Sequence, residues 1–449
     1  MKILFPTTRD LCYFSADFFA AQITKALERQ GAEVVRLPLP ETIVDGKPVT
    51  TDFSPLEKYE GQHFDAIIDI NSKLPYLEAE PGVRYLDTFD APFFNIILDH
   101  PLYHHPGLVF RLKRYCCIAI DRCHNAYIEK YYPWIMKTFC LPLAGTSAAE
   151  AADADRMGSD AKAVAPDSRE RIPRLLFPGT FEPEPCLFEE AEKLPAWAGR
   201  IVKDLYGAWN PEEAPMEDAV EAYLRDLRPM QADEILGWFE MNERTAAAAA
   251  RKENAGGNPL LSRELFPLVM NYLYPLDRLT RFEMRKRVIT ALADAGAALD
   301  IQGEGWETTG ILDRPNVHAV TPMPIGPAIE TMAEYRAVLD INPNFYAGLH
   351  DRVSTALINH CLTFSNMSEE TAPETPLLRH YSSFDTDALC EAVLDTQNRE
   401  FAVAESASGA AAFSDGGGNA ADGAGAGGFP ISWDEYAMRI YHIIESILV

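Results

Sequence analysis

Residues 339–365 read LDINPNFYAGLHDRVSTALINHCLTFS, and the order of residue types in them implies a strand, a loop and a helix. Residues 339–341 end a buried apolar run. Asn342, Pro343 and Asn344 stop it, because proline cannot donate to a central sheet ladder. Gly348 frees the turn that comes next, and Val353, Ala356, Leu357 and Cys361 recur at helical spacing, so a short helix opens near His350, Asp351 and Arg352. Backbone N–H groups and the positive end of the helix dipole point the same way at such a junction, which suits an anion. Arg352 or His350 would add charge-assisted hydrogen bonds to it. An ordinary βα turn carrying a solvated arginine is the competing reading of these residues alone.

Outward from this stretch, short apolar runs at 174–177, 298–302, 317–320, 337–341 and 362–364 are separated by helical patterns, the strongest at 278–292. The N-terminal part repeats the scheme, with runs at 2–5, 33–37, 64–70, 93–98, 115–120 and 138–141 and helical segments at 108–114 and 126–132 between them. Gly31 closes a first helix carrying Phe18, Ile23 and Leu27. Nearly continuous apolar strands alternating with helices predict parallel sheets covered on both faces. The fold class is therefore α/β, with two doubly wound Rossmann-like domains. The predicted division is a first domain at 1–146, a linker or insertion at 147–172, and a second domain at 173–402 that carries a helical insertion at about 186–275. A Gly/Ala-rich linker covers 403–430, and a terminal helix covers 431–449 with an apolar stripe through Trp433, Tyr436, Ile440, Ile444 and Ile447. So apolar a stripe has to pack back onto the body of the protein.

At 449 residues the chain exceeds one compact core, and 47% hydrophobic with 24% charged residues is the composition of a soluble globular protein. A net charge of −27 argues against nucleic acid and anionic membranes as partners. No apolar run is long enough for a membrane helix, so a cytoplasmic location is expected. The eight cysteines include no C-x-x-C pair and sit mostly in apolar runs, as small buried hydrophobes do in a reducing compartment.

Several stretches carry a resemblance: ILDHPLYHH (97–105), AIDRCHNAYIEKYYP (119–133), FPGTFEP (177–183), LDIQGEGWE (299–307), INPNFYAGLHDRV (341–353) and SWDEYAMRI (432–440). Together and in this order they resemble the bacterial glycosyltransferase group 1 family of GT-B fold, in its spore-maturation-protein-like branch. The resemblance implies two domains facing a cleft, a nucleotide-sugar donor as co-substrate on the second domain, and a glycan, protein or small-molecule acceptor on the first. It also implies a glutamate in the helix after the loop, where this chain has Thr355.

Ligands of such sheets lie beyond the carboxyl ends of the strands. The donor-side candidates are accordingly Gly179, Thr180, Gly303, Gly305, Trp306, Asn342, Asn344, His350, Asp351 and Arg352. Gly303 and Gly305 would admit a base or ribose close to the backbone, and Trp306 either stacks on the base or packs in the core. Arg352 with its helix end would stabilise a departing diphosphate without a metal. On the first domain, Asp99 and His100 are the leading candidates for a general base, followed by His124 and then Asp10. His104 and His105 lie nearby, but Pro101 breaks the alignment a metal site would need. Asp-x-Asp pairs at Asp153/Asp155 and Asp385/Asp387 fall in a linker and at a helix start, so neither metal nor cofactor is expected. The function implied is metal-independent sugar transfer. Alternatives are a GT-B-type nucleotide-sugar epimerase, which needs no acceptor, and a non-catalytic nucleotide- or sugar-binding scaffold.

Overall fold

Two six-stranded sheets, parallel throughout, carry the molecule. The computed structural model describes residues 1–7, 15–44, 47–155, 171–253, 257–342, 345–368, 372–398 and 432–448. Asp10, Asn344, the 403–430 tract and most of the 147–172 segment lie outside them. The first sheet comprises β1 (Lys2–Thr7), β2 (Glu33–Pro38), β3 (Ala66–Ile70), β4 (Phe93–Ile97), β5 (Tyr115–Ala119) and β6 (Lys137–Cys140), in the order β6-β5-β4-β3-β1-β2. Every residue of β3, β4 and β5 is buried, which is why these strands read as unbroken apolar runs. The second sheet comprises β7 (Ile172–Pro178), β8 (Leu299–Gln302), β9 (Val317–Val320), β10 (Tyr335–Asp340), β11 (Leu362–Ser365) and β12 (Leu378–His380), in the order β9-β8-β7-β10-β11-β12. Its winding reverses between β7 and β10, and in open α/β sheets the crevice outside the strand ends at such a reversal receives ligands.

Three local differences from the sequence reading have physical causes. Strand β12 is only the triplet Leu-Arg-His, too short to show a period, and it pairs with β11 at the sheet edge. The helix expected at 108–114 is absent. A four-residue helix at His105–Leu108 leads instead into a loop, whose Leu112 is buried while Val109 faces solvent. A hairpin pairs Glu41–Val44 with Lys47–Thr51 outside either sheet.

Among the helices that cover these sheets are α1 (Ser15–Arg29), α2 (Arg122–Tyr131), α3 (Ala148–Asp155), α4 (Met216–Arg225), α5 (Tyr274–Asp294), α6 (Ile325–Met332), α7 (Asp351–Ile358) and α8 (Trp433–Leu448). Helix α8 packs back onto the body of the protein, as expected, and does so chiefly on the first domain. Trp433, Tyr436, Ala437, Ile440 and Ile444 are fully buried in one cluster with Phe19, Ile23 and Leu27 of α1. The Phe19 and Trp433 rings lie 6.1 Å apart, and Arg29 pairs with Asp434 at 2.6 Å. Among the described residues no helix is long and apolar enough to cross a membrane.

The helical insertion does more than decorate the second domain. Its helix Phe266–Tyr272 puts Phe266 in a stack on Tyr131 of α2, with centroids 4.7 Å apart, and Asn271 donates to the Leu102 carbonyl at 2.7 Å. Glu221 of α4 takes hydrogen bonds from Lys130 and Tyr131. Both domains are thereby tied to one helical layer.

Candidate functional site

The carboxyl edge of β7 and β8 is closed by backbone lying on backbone. A Cβ added at Gly303 would meet the Gly179 carbonyl oxygen at 2.2 Å, and one at Gly305, whose φ is +88°, would meet the Phe181 carbonyl oxygen at 1.9 Å. These glycines serve the close approach of two loops. Trp306 is 1% exposed, donates Nε1–H to the Gly179 carbonyl at 2.7 Å, and lies against Phe177 and Phe181. The stacking role considered for Trp306 is therefore corrected to packing, since a ring this enclosed offers no face to a base. The Thr180 carbonyl accepts from Arg285 Nη1 at 2.8 Å.

The loop from β10 to α7 holds the next group. His350 caps α7, its Nδ1 accepting from the Arg352 amide at 3.1 Å, and Asp351 places a carboxylate in the first turn, where the dipole favours it. Arg352 donates Nη1–H to Asp340 Oδ1 at 3.1 Å, and Asp340, fully buried, also accepts from Ser365 Oγ at 2.7 Å. The conflict of a cation at a helix N-terminus is thus eased by a carboxylate at the end of β10. Asn342 donates its amide to Asn366 Oδ1 at 2.7 Å, while its own Nδ2 is buried with no hydrogen-bond partner among the described residues.

Two arginines that the sequence reading passed over complete this edge. Arg281 and Arg285 lie one helical turn apart on α5. Arg285 is 8% exposed, and its Nε has no partner among the described residues. Burial, and then the charges of Arg281 and Arg352, push the affinity of Arg285 for its proton well down. Arg281 pairs with Asp277 and Arg352 with Asp340, whereas Arg285 Nε is left without a partner among the described residues and favours an anion beside it. In sequence the pair belongs to RLTRFEMRKR, where basic residues recur on every side of the helix, so no periodic signal separates these two from solvated ones.

On the first domain, Asp99 follows β4 by two residues and lies within reach of the charge of Arg281. Burial raises its pKa, but His104, whose Nε2 lies 3.8 Å away, the charge of Arg281 and a hydrogen bond from Asn71 outweigh that, leaving the carboxyl below its ordinary range. Asn71 donates Nδ2–H to Asp99 at 3.2 Å, and its backbone is left-handed, with φ +48°. Asparagine tolerates that conformation better than most residues. Asp99 is consequently ionised at neutral pH.

His100 and His124, candidate bases in the sequence, lie enclosed in the domain interface. His100 is 5% exposed, with both ring nitrogens engaged: Nδ1 accepts from the Leu102 amide at 3.0 Å, and Nε2 lies 3.2 Å from Glu217 of α4. His124 is 2% exposed, its ring 4.7 Å from that of His100 and 5.6 Å from that of Phe345. The residue beside them that matters for geometry is Asp121. Its Oδ1 caps α2 by accepting from the Cys123 and His124 amides, and its Oδ2 accepts from the Ala347 amide at 2.8 Å. The loop before α7 is in this way fastened to the first domain, with Gly348 so close that an added Cβ would lie 2.8 Å from the Asp121 side chain.

Thr355 also has a structural account. It is 4% exposed, and its Oγ1 accepts from the Thr146 amide at 3.3 Å. The inter-domain connector runs across α7 there. Gly145 abuts the Ser354 carbonyl, Asn359 bonds to Thr146 and Ala148, and Trp433 of α8 donates to Thr146 Oγ1 at 2.9 Å. A glutamate in place of Thr355 would bury a carboxylate against that connector, at a cost in desolvation.

No family model matches the chain, and no curated protein matches it. Among solved structures it is similar to AviGT4, a glycosyltransferase involved in avilamycin A biosynthesis, with a TM-score of 0.44 and 12% identity over 100% of this chain and 98% of that one. It is also similar to the E. coli heptosyltransferase WaaC, with ADP-2-deoxy-2-fluoro heptose (TM-score 0.32) and with ADP (TM-score 0.31), each at 10% identity over 88% of this chain and 99% of that one. The likeness is one of chain path, and identities this low say nothing of activity.

Proposed function

We propose that the cleft between the two sheets is a sugar-transfer site, in which a nucleotide-sugar donor binds at the β7/β10 reversal and an acceptor hydroxyl approaches from the side of Asp99. The observation that carries this reading is the cationic edge of the second domain: Arg285, whose buried Nε has no partner among the described residues, flanked by the charges of Arg281 and Arg352, beside the N-terminus of α7. In the reaction the acceptor oxygen bonds to the anomeric carbon and the bond from that carbon to the phosphate oxygen breaks. The nucleoside diphosphate leaves with the electron pair, its charge stabilised by the guanidiniums and the α7 amides. The acceptor proton passes to Asp99, which accepts it once the forming bond has made the hydroxyl acidic. Because the arginines supply the positive charge, the reaction proceeds without an added divalent cation, and the enzyme works in the cytoplasm.

The test is incubation with a panel of radiolabelled nucleotide sugars and candidate acceptors in the presence of chelator. Nucleoside diphosphate released in step with labelled acceptor is the expected result. Label recovered in an isomerised nucleotide sugar, with no diphosphate released, would move the assignment to an epimerase. Activity lost to chelator and restored by magnesium or manganese would overturn the metal independence.

A further inference from the structure

The cleft is partly filled by the chain itself. Residues 209–215 of the insertion, WNPEEAP, run between the two domains as a self-braced loop that leads into α4. Asn210 Oδ1 accepts from the Glu212 amide at 3.0 Å, and Trp209 Nε1 donates to the Ala214 carbonyl at 2.8 Å. Pro211 and Pro215 restrict the backbone further. The loop and the first turn of α4 touch each side of the cleft, through Glu217 to His100 on the first domain and through Tyr346 Oη, which donates to the Glu213 carbonyl at 3.1 Å, on the second. Beneath it, the cavity lined by His100, His124, Trp209 and Glu217 measures only about 10 Å³, about room for one water. Binding sites for small molecules are some 300–1,000 Å³. The loop therefore fills this part of the cleft, and a ligand reaches it only if the loop moves.

At the tip of the loop Glu212 is held as a bound anion would be. Its Oε1 accepts from the Ser383 amide at 2.8 Å, from Ser383 Oγ at 2.7 Å and from Asn366 Nδ2 at 3.2 Å, and its Oε2 accepts from Ser382 Oγ at 2.6 Å. Ser383 is fully buried and Asn366 is 6% exposed. These donors come after β11 and β12, so they belong to the same carboxyl edge as Arg352 and Asn342, and Asn366 joins the two places by accepting from the Asn342 amide.

We infer that Asn366, Ser382 and Ser383 form an anion subsite for a phosphate group of the nucleotide, and that residues 209–215 are a strap that occupies it, the Glu212 carboxylate standing in for that phosphate. The inference rests on the nucleotide-sugar reading above. Closure by the strap lowers the fraction of molecules competent to bind, and the apparent dissociation constant rises in inverse proportion to that fraction.

The experiment titrates UDP, GDP, TDP, ADP and CDP by calorimetry into the full chain and into its Glu212→Ala and Glu212→Gln variants, with circular dichroism as the folding control. Hydrogen exchange of the peptide spanning the strap is monitored in parallel. The expected result is binding of one nucleotide about tenfold more tightly by Glu212→Ala than by wild type, with faster exchange of the strap in wild type when that nucleotide is added. Glu212→Gln, which keeps the shape and loses the charge, should fall between them and serves as the test if Glu212→Ala does not fold. Equal affinities with unchanged strap exchange overturn the strap and leave the sugar-transfer reading in place. Binding of none of the nucleotides by any variant overturns both.

Discussion

Arg352 and Asp340 show how a position can be legible while its energetics are not. An arginine in the first turn of a helix is out of place by its dipole, and that much stands in the sequence. Its pairing with the buried Asp340 depends on how β10 and α7 meet, so the local pattern leaves it out. Removing the cation alone strands a buried carboxylate, and Arg352→Ala should lose about 3–5 kcal/mol of stability. The double variant Arg352→Met/Asp340→Asn should recover much of that loss, as read by denaturant unfolding of both variants. Equal stability of wild type and Arg352→Ala would show the pair to be inconsequential. Asp69 makes a second, pH-dependent case. Burial within the first sheet raises its pKa from 3.8 to about 7, against the opposing hydrogen bonds from Ser72 and Ile70. Because the folded value lies above the unfolded one, the stability tied to the protonated form is full below about pH 4 and is lost as pH rises through 7. Asp69→Asn should therefore gain in melting temperature relative to wild type between about pH 5 and pH 8. A difference that stays flat with pH would contradict this.

Strands and helices differ sharply in how much of them the sequence discloses. The runs at 64–70, 93–98 and 115–120 were readable because strands buried on both faces have no polar alternation to confuse them, whereas the triplet of β12 has no pattern at all. The expected helix at 108–114 fails because Leu108, at the end of a four-residue helix, and Leu112, in the loop after it, are both buried, a packing that mimics helical spacing. Helix α8 was readable as an apolar stripe in need of a partner, but that its partner is α1 emerges only from the fold. Trp433, Tyr436, Ile440 and Ile444 are all fully buried, and at about 1.5–3 kcal/mol for each large apolar side chain, deleting the chain from residue 431 onward should cost on the order of 5 kcal/mol or more. Thermal unfolding of the truncated protein checks this, and an unchanged midpoint would contradict it.

The molecule as a whole places a carboxylate of one doubly wound domain across a cleft from the guanidiniums of the other, and ties both domains to a helical insertion. The reversal of winding between β7 and β10 marks the carboxyl edge on which the proposed site stands, and the candidates Asn342, His350, Asp351 and Arg352 were singled out in the sequence because each comes soon after a strand end. Arg285 and Arg281 were not, since they reach that edge from the middle of a long helix separated from it by more than fifty residues of chain. The insertion's contacts with the first domain, through Phe266, Asn271, Glu217 and Glu221, were likewise hidden, because an amphipathic helix does not disclose which of two sheets it covers. The account stands on the cationic edge, and calorimetric titration of the nucleoside diphosphate panel into wild type and Arg285→Lys tests it most directly. One nucleotide should bind wild type and bind Arg285→Lys roughly ten- to a hundredfold more weakly, because the ammonium lacks the planar fork and a lost charge-assisted hydrogen bond is worth about 1.5–3 kcal/mol. Equal affinity in two folded proteins, or no binding to either, would contradict it.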